Sequence, residues 1–374
     1  MKKMTAAEIR DFNQTQIYKL AYQCGRISRQ EIAEQLNLSM PTISQNLKLL
    51  EEKHLIERNG MFQSTGGRKS VAYTCVSNAR VAVGTQISEN HIRIAAIDLF
   101  GKIIKREHHQ VKYVNQPVYY QTFGELVNAF CRSLNLSSQR ILGVGIAIKG
   151  LLSADRTTVT QGVRLGSAGA TLSDFASQLD YPCSLVHDAE AAAEAEIWFS
   201  PETTDALYVS LNYDLGGALI MQGRIHRGKE FRGGLIEHVI LYPGGRQCYC
   251  GNHGCVSEYC SARVLLSEKF PTYESFFTKL RSGNIDAKKQ WDEYLDHLSL
   301  ALGSMHMLLD CDIILGGNIA CYLTVEDTRR LQKQIRRQSV FSPVSDFIRI
   351  GHTEVDVFSC GAALPYIRRF LADC

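Results

Sequence analysis

The chain has 374 residues, 45% of them hydrophobic and 21% charged, with a formal net charge of +3; this balance excludes a disordered or low-complexity protein, and the length suits two or three domains better than one core. No run approaches the roughly 18 apolar residues of a membrane span, and the basic start MKKMTAAEIRDF leads into no apolar segment of signal-peptide length, so a cytoplasmic protein without membrane insertion is expected. In that compartment the twelve cysteines are expected as thiols rather than disulfides, nine of them scattered as small core hydrophobes.

Charge is unevenly spread. Residues 1–76 carry eleven Lys/Arg against seven Asp/Glu, and the remainder thirty against thirty-one. A basic head on a near-neutral body points to a polyanion partner for the head. Within the head, RISRQEIAEQLNLSMPTISQNLKLLEEKHLIERNG reads as two helices with a short break. Ser28 and Glu31 form a capping box for the first, which buries Ile32, Ala33 and Leu36. Asn37 and Leu38 turn the chain. Ser39 caps the second, where Pro41 sits in the first turn at little cost. Ile43, Leu47 and Leu50 then form one apolar stripe. HLIERNGMFQSTGGRKSVAYTCV follows as a β-hairpin wing with a basic tip.

Together these spell a winged helix-turn-helix that binds a double-stranded DNA operator. Gln45 can pair bidentately with adenine, while Ser39, Thr42, Ser44 and Lys48 suit phosphates. Arg68, beside Gly67 at the wing tip, suits a narrow A·T-rich minor groove.

After Tyr73 the pattern becomes α/β. Three strands run through RVAVGTQISENHIRIAAIDLFGKIIKREHHQV, with a turn at Phe100–Gly101, followed by an amphipathic helix (YYQTFGELVNAFCRSLNL) and a buried strand (ILGVGIAIKG). DAEAAAEAEIWF is strongly helical, with Asp188 as its expected cap. DALYVSLNYDLGGALIMQGRIHRG is a strand pair expected to turn near Gly216–Gly217, and DIILGGNIA is a late buried strand. Two repeats of three strands and a helix suggest a two-lobed, actin-like ATPase body.

GGRQCYCGNHGC sets Cys248, Cys250 and Cys255 at C-x-C-x4-C, a spacing suited to metal binding; Cys260 lies five residues beyond. The longer stretch HVILYPGGRQCYCGNHGC, with the winged helix and TGGRK wing, resembles the ROK family of bacterial sugar kinases and sugar-responsive repressors, over nearly the whole chain. The resemblance implies His238 as fourth ligand of a closed structural zinc site, and a C-terminal helix packed back on the first lobe. The expected division is a winged helix over 1–76, a first lobe over 77–198 completed by 355–374, and a second lobe with the zinc site over 199–354.

Where kinases of this family carry D-x-G-G-T, this chain has VGTQISEN (83–90). Their second phosphate loop is NYDLGGA here, where Asp214 would repel a phosphate. Only the adenosine-side LGG (315–317) is kept. The expectation is therefore a regulator and not an enzyme, with a sugar kinase bearing a regulatory head as the alternative. The sugar site also departs from the family. Its Asn-Asp pair is His187–Asp188, its E-x-G-H is LIEH (235–238), and Ser257 stands where a glutamate is usual, with Glu258 one place off. His187, Asp188 and His238 remain as ligand-binding candidates, and His187, Lys149 and Arg164 as positive charges for an anion. The expected protein is a homodimeric or homotetrameric repressor of carbohydrate genes, controlled by a sugar-related effector or a partner.

Overall fold

The computed structural model describes residues 5–63, 70–340, 345–352 and 356–374. The head opens with α1 (Ala6–Cys24), started by a reciprocal capping box between Thr5 and Glu8. After β1 (Ile27–Ser28), α2 (Arg29–Leu36) begins at the Ser28–Glu31 box. Asn37, left-handed at φ 53°, reverses the chain into α3 (Met40–Glu52), where Ser39 accepts from the Thr42 N–H. Ile43, Leu47 and Leu50 are at most 1% exposed and pack with Ile32 and with Ile17, Tyr18 and Ala21 of α1; each contributes roughly 1.5–3 kcal/mol. β2 (Ile56–Met61) and β3 (Val71–Cys75) form the wing, and β1 extends their sheet from the other side of β3. α2, α3 and the wing match the elements expected from sequence, and α1 is an additional helix.

In the body, β4 (Val81–Ile87), β5 (Ile92–Ile97) and β6 (Ile103–His109) run antiparallel in succession. α4 (Pro117–Ser133) leads to β7 (Ile141–Ile148), parallel to β4. A small hairpin of β8 (Leu151–Leu152) and β9 (Val159–Gln161), then α5 (Leu172–Ala176), precede β10 (Cys183–His187), which pairs parallel with β7. α6 (Asp188–Phe199) follows directly. The sheet order is β10-β7-β4-β5-β6.

The second lobe repeats this plan. β11 (Ala206–Leu211), β12 (Leu215–Met221) and β13 (Arg224–His226) are antiparallel. α7 (Ser257–Cys260), α8 (Tyr273–Arg281) and α9 (Ile285–Leu309) come before β14 (Asp312–Gly316), parallel to β11. α10 (Val325–Gln338) and β15 (Ile348–Ile350) complete the order β13-β12-β11-β14-β15. The turn expected at Gly216–Gly217 lies instead at Asn212–Asp214, with both glycines inside β12. Gly217 serves close packing there, since a Cβ would meet the Gly234 carbonyl at 2.7 Å.

α11 (Val357–Asp373) returns to the first lobe and lies against β4, β7 and α6. The approach is backbone on backbone. A Cβ on Gly84 would overlap the Ser359 carbonyl oxygen, and one on Gly145 that of Ala362. The head docks on the same region. Lys19 donates to the Ala372 carbonyl at 2.9 Å, Tyr22 donates to that of Leu99 at 2.7 Å, and the Tyr22 and Phe100 rings stack at 4.6 Å.

Not every scattered cysteine is in a core: Cys24 and Cys321 are exposed. Among the described residues, no helix is long and apolar enough to cross a membrane.

Candidate functional site

Three sites emerge, beginning with the surface of α3. Its apolar stripe turns Gln45 and Lys48 outward as exposed side chains, with Ser44 half-buried. Ser39 and Thr42 are partly committed to the helix start: their hydroxyls lie 2.8 Å apart, and the Thr42 carbonyl accepts from Asn46. Among the described residues Lys48 has only a loose ion pair with Glu52, at 3.8 Å with both side chains largely exposed, so its charge is available to a partner. Gly67 and Arg68 lie outside the described residues.

The second site is a cluster of His238, Cys248, Cys250 and Cys255, whose ligand atoms all lie within 4.8 Å of one another. Left-handed Gly244, Gly251 and Gly254 make the tight turns, and a Cβ on Gly254 would overlap the Tyr242 carbonyl. The His238 Nδ1 faces the thiols, 3.8 Å from Cys248 Sγ, while Nε2 meets the Tyr249 hydroxyl at 3.1 Å. Burial holds the His238 ring below its ordinary pKa, favouring the neutral form that a metal binds. This His/Cys set can coordinate a metal ion, and three thiols with one imidazole suit tetrahedral coordination. Cys260 is buried and lies outside the cluster.

Beside this cluster a cavity of about 380 Å³ opens between the lobes, lined among others by His187, Asp188, Leu235, Glu237, His238 and Tyr249. The structure thus brings the three ligand candidates, His187, Asp188 and His238, into the lining of one cavity. Asp188 is not the cap of its helix. His187 occupies the cap position without a side-chain cap bond, and Asp188 is the first helical residue. Its carboxylate accepts from the Ala189 N–H at 2.8 Å and lies 3.5 Å from His187 Nε2. Glu258 is turned to Arg263 at 2.5 Å, and buried Ser257 meets Cys248 Sγ at 3.5 Å.

The positive charges expected to serve an anion are already engaged. Lys149 pairs with Asp214 at 2.9 Å and Arg164 with the same carboxylate at 3.4 Å, while Arg164 also covers the Tyr249 ring at 4.3 Å. Asp214 is therefore neutralised, and the repulsion argued from its sequence position does not hold. Glu237 is the residue that the sequence reading noted without assigning. It is 7% exposed, its Oε2 has no hydrogen-bond partner among the described residues, and burial pushes its carboxyl up to about 7. The available signal was a charged side chain where the family keeps a glycine.

A winged helix in front of two lobes, each built on the same five-stranded plan, with a cavity and a His/Cys cluster between them, defines a winged-helix protein with an actin-like ATPase body. Residues 82–352 match the ROK family and residues 11–57 match winged helix-turn-helix DNA-binding domains. The chain belongs to the ROK family.

It is similar to the DNA-binding transcriptional dual regulator NagC of Escherichia coli K12, 26% identical over 264 residues, covering 70% of this chain and 65% of that protein. The chain thus spans just under two-thirds of that relative's length. It is also similar to the xylose repressor of Caldicellulosiruptor bescii, 22% identical over 88% of this chain and 89% of the relative. Among solved structures, a ROK family transcriptional regulator described as a homologue of the E. coli MLC protein shares the fold over 98% of this chain and 97% of its own, at TM-score 0.76 and 21% identity.

The ROK glucokinase of Streptomyces griseus, solved with glucose and AMPPNP, shares it over 76% of this chain and 98% of its own, at TM-score 0.64 and 21% identity. The ROK hexokinase of Thermus thermophilus does so at TM-score 0.63 and 20% identity, over 79% and 100%. These neighbours correct the expectation that the chain is not an enzyme: its body has the fold of sugar kinases, and the Asp214 argument against phosphate is removed by Lys149 and Arg164.

Proposed function

We propose that this protein is a DNA-binding regulator of carbohydrate genes, acting as a repressor whose ROK body senses a sugar-related ligand. One observation carries the reading: a winged helix with exposed Gln45 and Lys48 is docked directly on a body whose inter-lobe cavity gathers His187, Asp188 and His238. Ser39, Thr42, Ser44, Gln45 and Lys48, with Gly67 and Arg68 of the wing, contact the operator. The division runs as 1–76 for the DNA-binding head, 77–198 with 355–374 for the first lobe, and 199–354 for the second. His238, Cys248, Cys250 and Cys255 would hold one zinc, which supplies a structural staple for the loop around 241–256 and no open coordination position.

Two chains, or four, place two heads on one operator, because winged helices read half-sites whose spacing mirrors the protein's symmetry. A ligand between the lobes changes the population of head spacings, and so the fit to DNA. Selection of the full chain on random duplexes tests the reading. Enrichment of paired half-sites about one helical turn or a multiple apart is the expected result, and recovery of unenriched DNA would sink it. A sugar panel read by calorimetry and by an ATP-coupled assay in the same preparation measures ligand binding and phosphotransfer together.

A further inference from the structure

The proposed sensing cavity has a wall whose charges do not close. Lys149 and Arg164 share Asp214, and Arg164 also approaches Glu258 at 4.0 Å. Their charges are directed to carboxylates at that edge of the cavity. Asp188 and Glu237 line the same cavity. Asp188 has the Ala189 N–H and the His187 ring as neighbours. Glu237 has no ion pair among the described residues, and its Oε2 is buried without a donor. With imidazoles counted neutral, the cavity lining carries two cations, Lys149 and Arg164, against three carboxyl groups, Asp188, Asp214 and Glu237.

A buried carboxyl beside a second one is costly unless something positive or donating reaches it. Around Glu237 the His187 ring eases that cost and Asp188 adds to it. Leu235, in the same lining, offers only hydrocarbon. A neutral hydroxyl would supply one hydrogen bond to Oε2. An ammonium supplies the bond and the missing charge together.

We infer that Glu237 is the specificity-determining residue of this cavity and that it selects an amino sugar, a hydroxylated ring bearing a free ammonium group, with Asp188 taking a neighbouring hydroxyl. The inference rests on the sugar-sensing reading and names the ligand class for it. Acetylation of the amine removes both the charge and the fit, since it leaves a bulky neutral amide facing an unpaired carboxyl. The parent hexose keeps the shape and loses the charge.

Calorimetry on the zinc-loaded full chain tests this with glucosamine, galactosamine and mannosamine, each against its parent hexose and its N-acetyl derivative. At least one amine should bind ten-fold or more tightly than both of its counterparts. Glu237→Gln, which keeps the shape and removes the negative charge, should bring that ratio below about threefold. Should Glu237→Gln fail to fold, Glu237→Gly supplies the residue that the loop tolerates elsewhere in the family, and the same loss of preference is expected. Equal affinity for amine and hexose, tighter binding of the N-acetyl form, or a preference that survives both substitutions overturns the inference and leaves the sugar site standing. If no sugar of the panel binds, the sugar-sensing reading itself fails, and this inference fails with it.

Discussion

The indole N–H of Trp198 donates to the backbone carbonyl of Phe100 at 3.1 Å, and the Phe100 ring stacks on Tyr22 of α1. Trp198 lies near the end of α6, the helix that begins with Asp188 at the cavity. One helix therefore touches the candidate ligand site at one end and the support of the DNA-binding head at the other. Along its length Glu190 holds Arg156 and Arg227, Glu194 holds Arg368 of α11, and fully buried Glu196 holds Arg349.

Trp198→Phe keeps an aromatic ring and removes only the donor. A hydrogen bond of this kind contributes about 1 kcal/mol, so amides of residues 6–24 should exchange about fivefold faster. Unchanged exchange in α1 would show that the head does not depend on this contact.

Gln45→Ala should cost about 1–3 kcal/mol of operator affinity and relax the preference at a single base pair. Lys48→Ala should weaken binding uniformly across sequences and reduce the salt-dependence slope by about 1. Titrations at several salt concentrations, on cognate and singly substituted duplexes, separate the two outcomes.

Cys250→Ser should lower the metal content from one zinc per chain and speed amide exchange in 241–256, and a chelator should do the same to the parent. Elemental analysis of the purified variant checks it. Stoichiometric, tightly held zinc in Cys250→Ser would remove that residue from the ligand set.

Gly145→Ala places a methyl against the Ala362 carbonyl oxygen and should destabilise the first lobe by about 1–3 kcal/mol. Gly303→Ala in α9 meets nothing nearer than 3.6 Å and should be neutral or stabilising by up to about 1 kcal/mol. Thermal melts of the pair distinguish close backbone approach from a general intolerance of change.

Burial, with Arg93, His108 and Lys149 around it, holds the His91 imidazole down to about 4. An unfolded histidine takes its proton near 6.5, so between about 6.5 and 4 the unfolded chain binds more protons at this site. Stability should fall as pH drops through that window and level off below it. Denaturant titrations across the window should show a shallower decline in His91→Gln.

Much of the architecture was legible because it rests on local chemistry. The Ser28–Glu31 box, Ser39 with Pro41, and the Ile43–Leu47–Leu50 stripe each act within one helical turn or one face, and the thiol spacing is set by glycine turns. α1 was less legible because its fully buried positions, Ile17, Tyr18 and Ala21, crowd into its second half, while its first half is mostly exposed. Gly216 and Gly217 read as a turn because sequence does not reveal which backbone approaches; Gly234 does. The pairing of Asp214 with Lys149 and Arg164 joins the two lobes, and no local pattern foretells it. Glu237 was visible as an oddity, but its missing partner is a property of the assembled cavity.

The placement of α11 bears on the order in which the protein can be made. Its backbone fills the gap against β4, β7 and α6, so the first lobe lacks a buried wall until residues 357–373 have left the ribosome. At roughly 5–20 residues per second, the strands from 81 to 148 wait for about ten seconds or more while the second lobe is synthesised. During that interval the apolar face of the first sheet, and the ledge on which the head rests, stay uncovered. The winged helix is synthesised first, by residue 76, but its core is continuous with that of the first lobe and α11, so its fixed seat on the body would be the last to form.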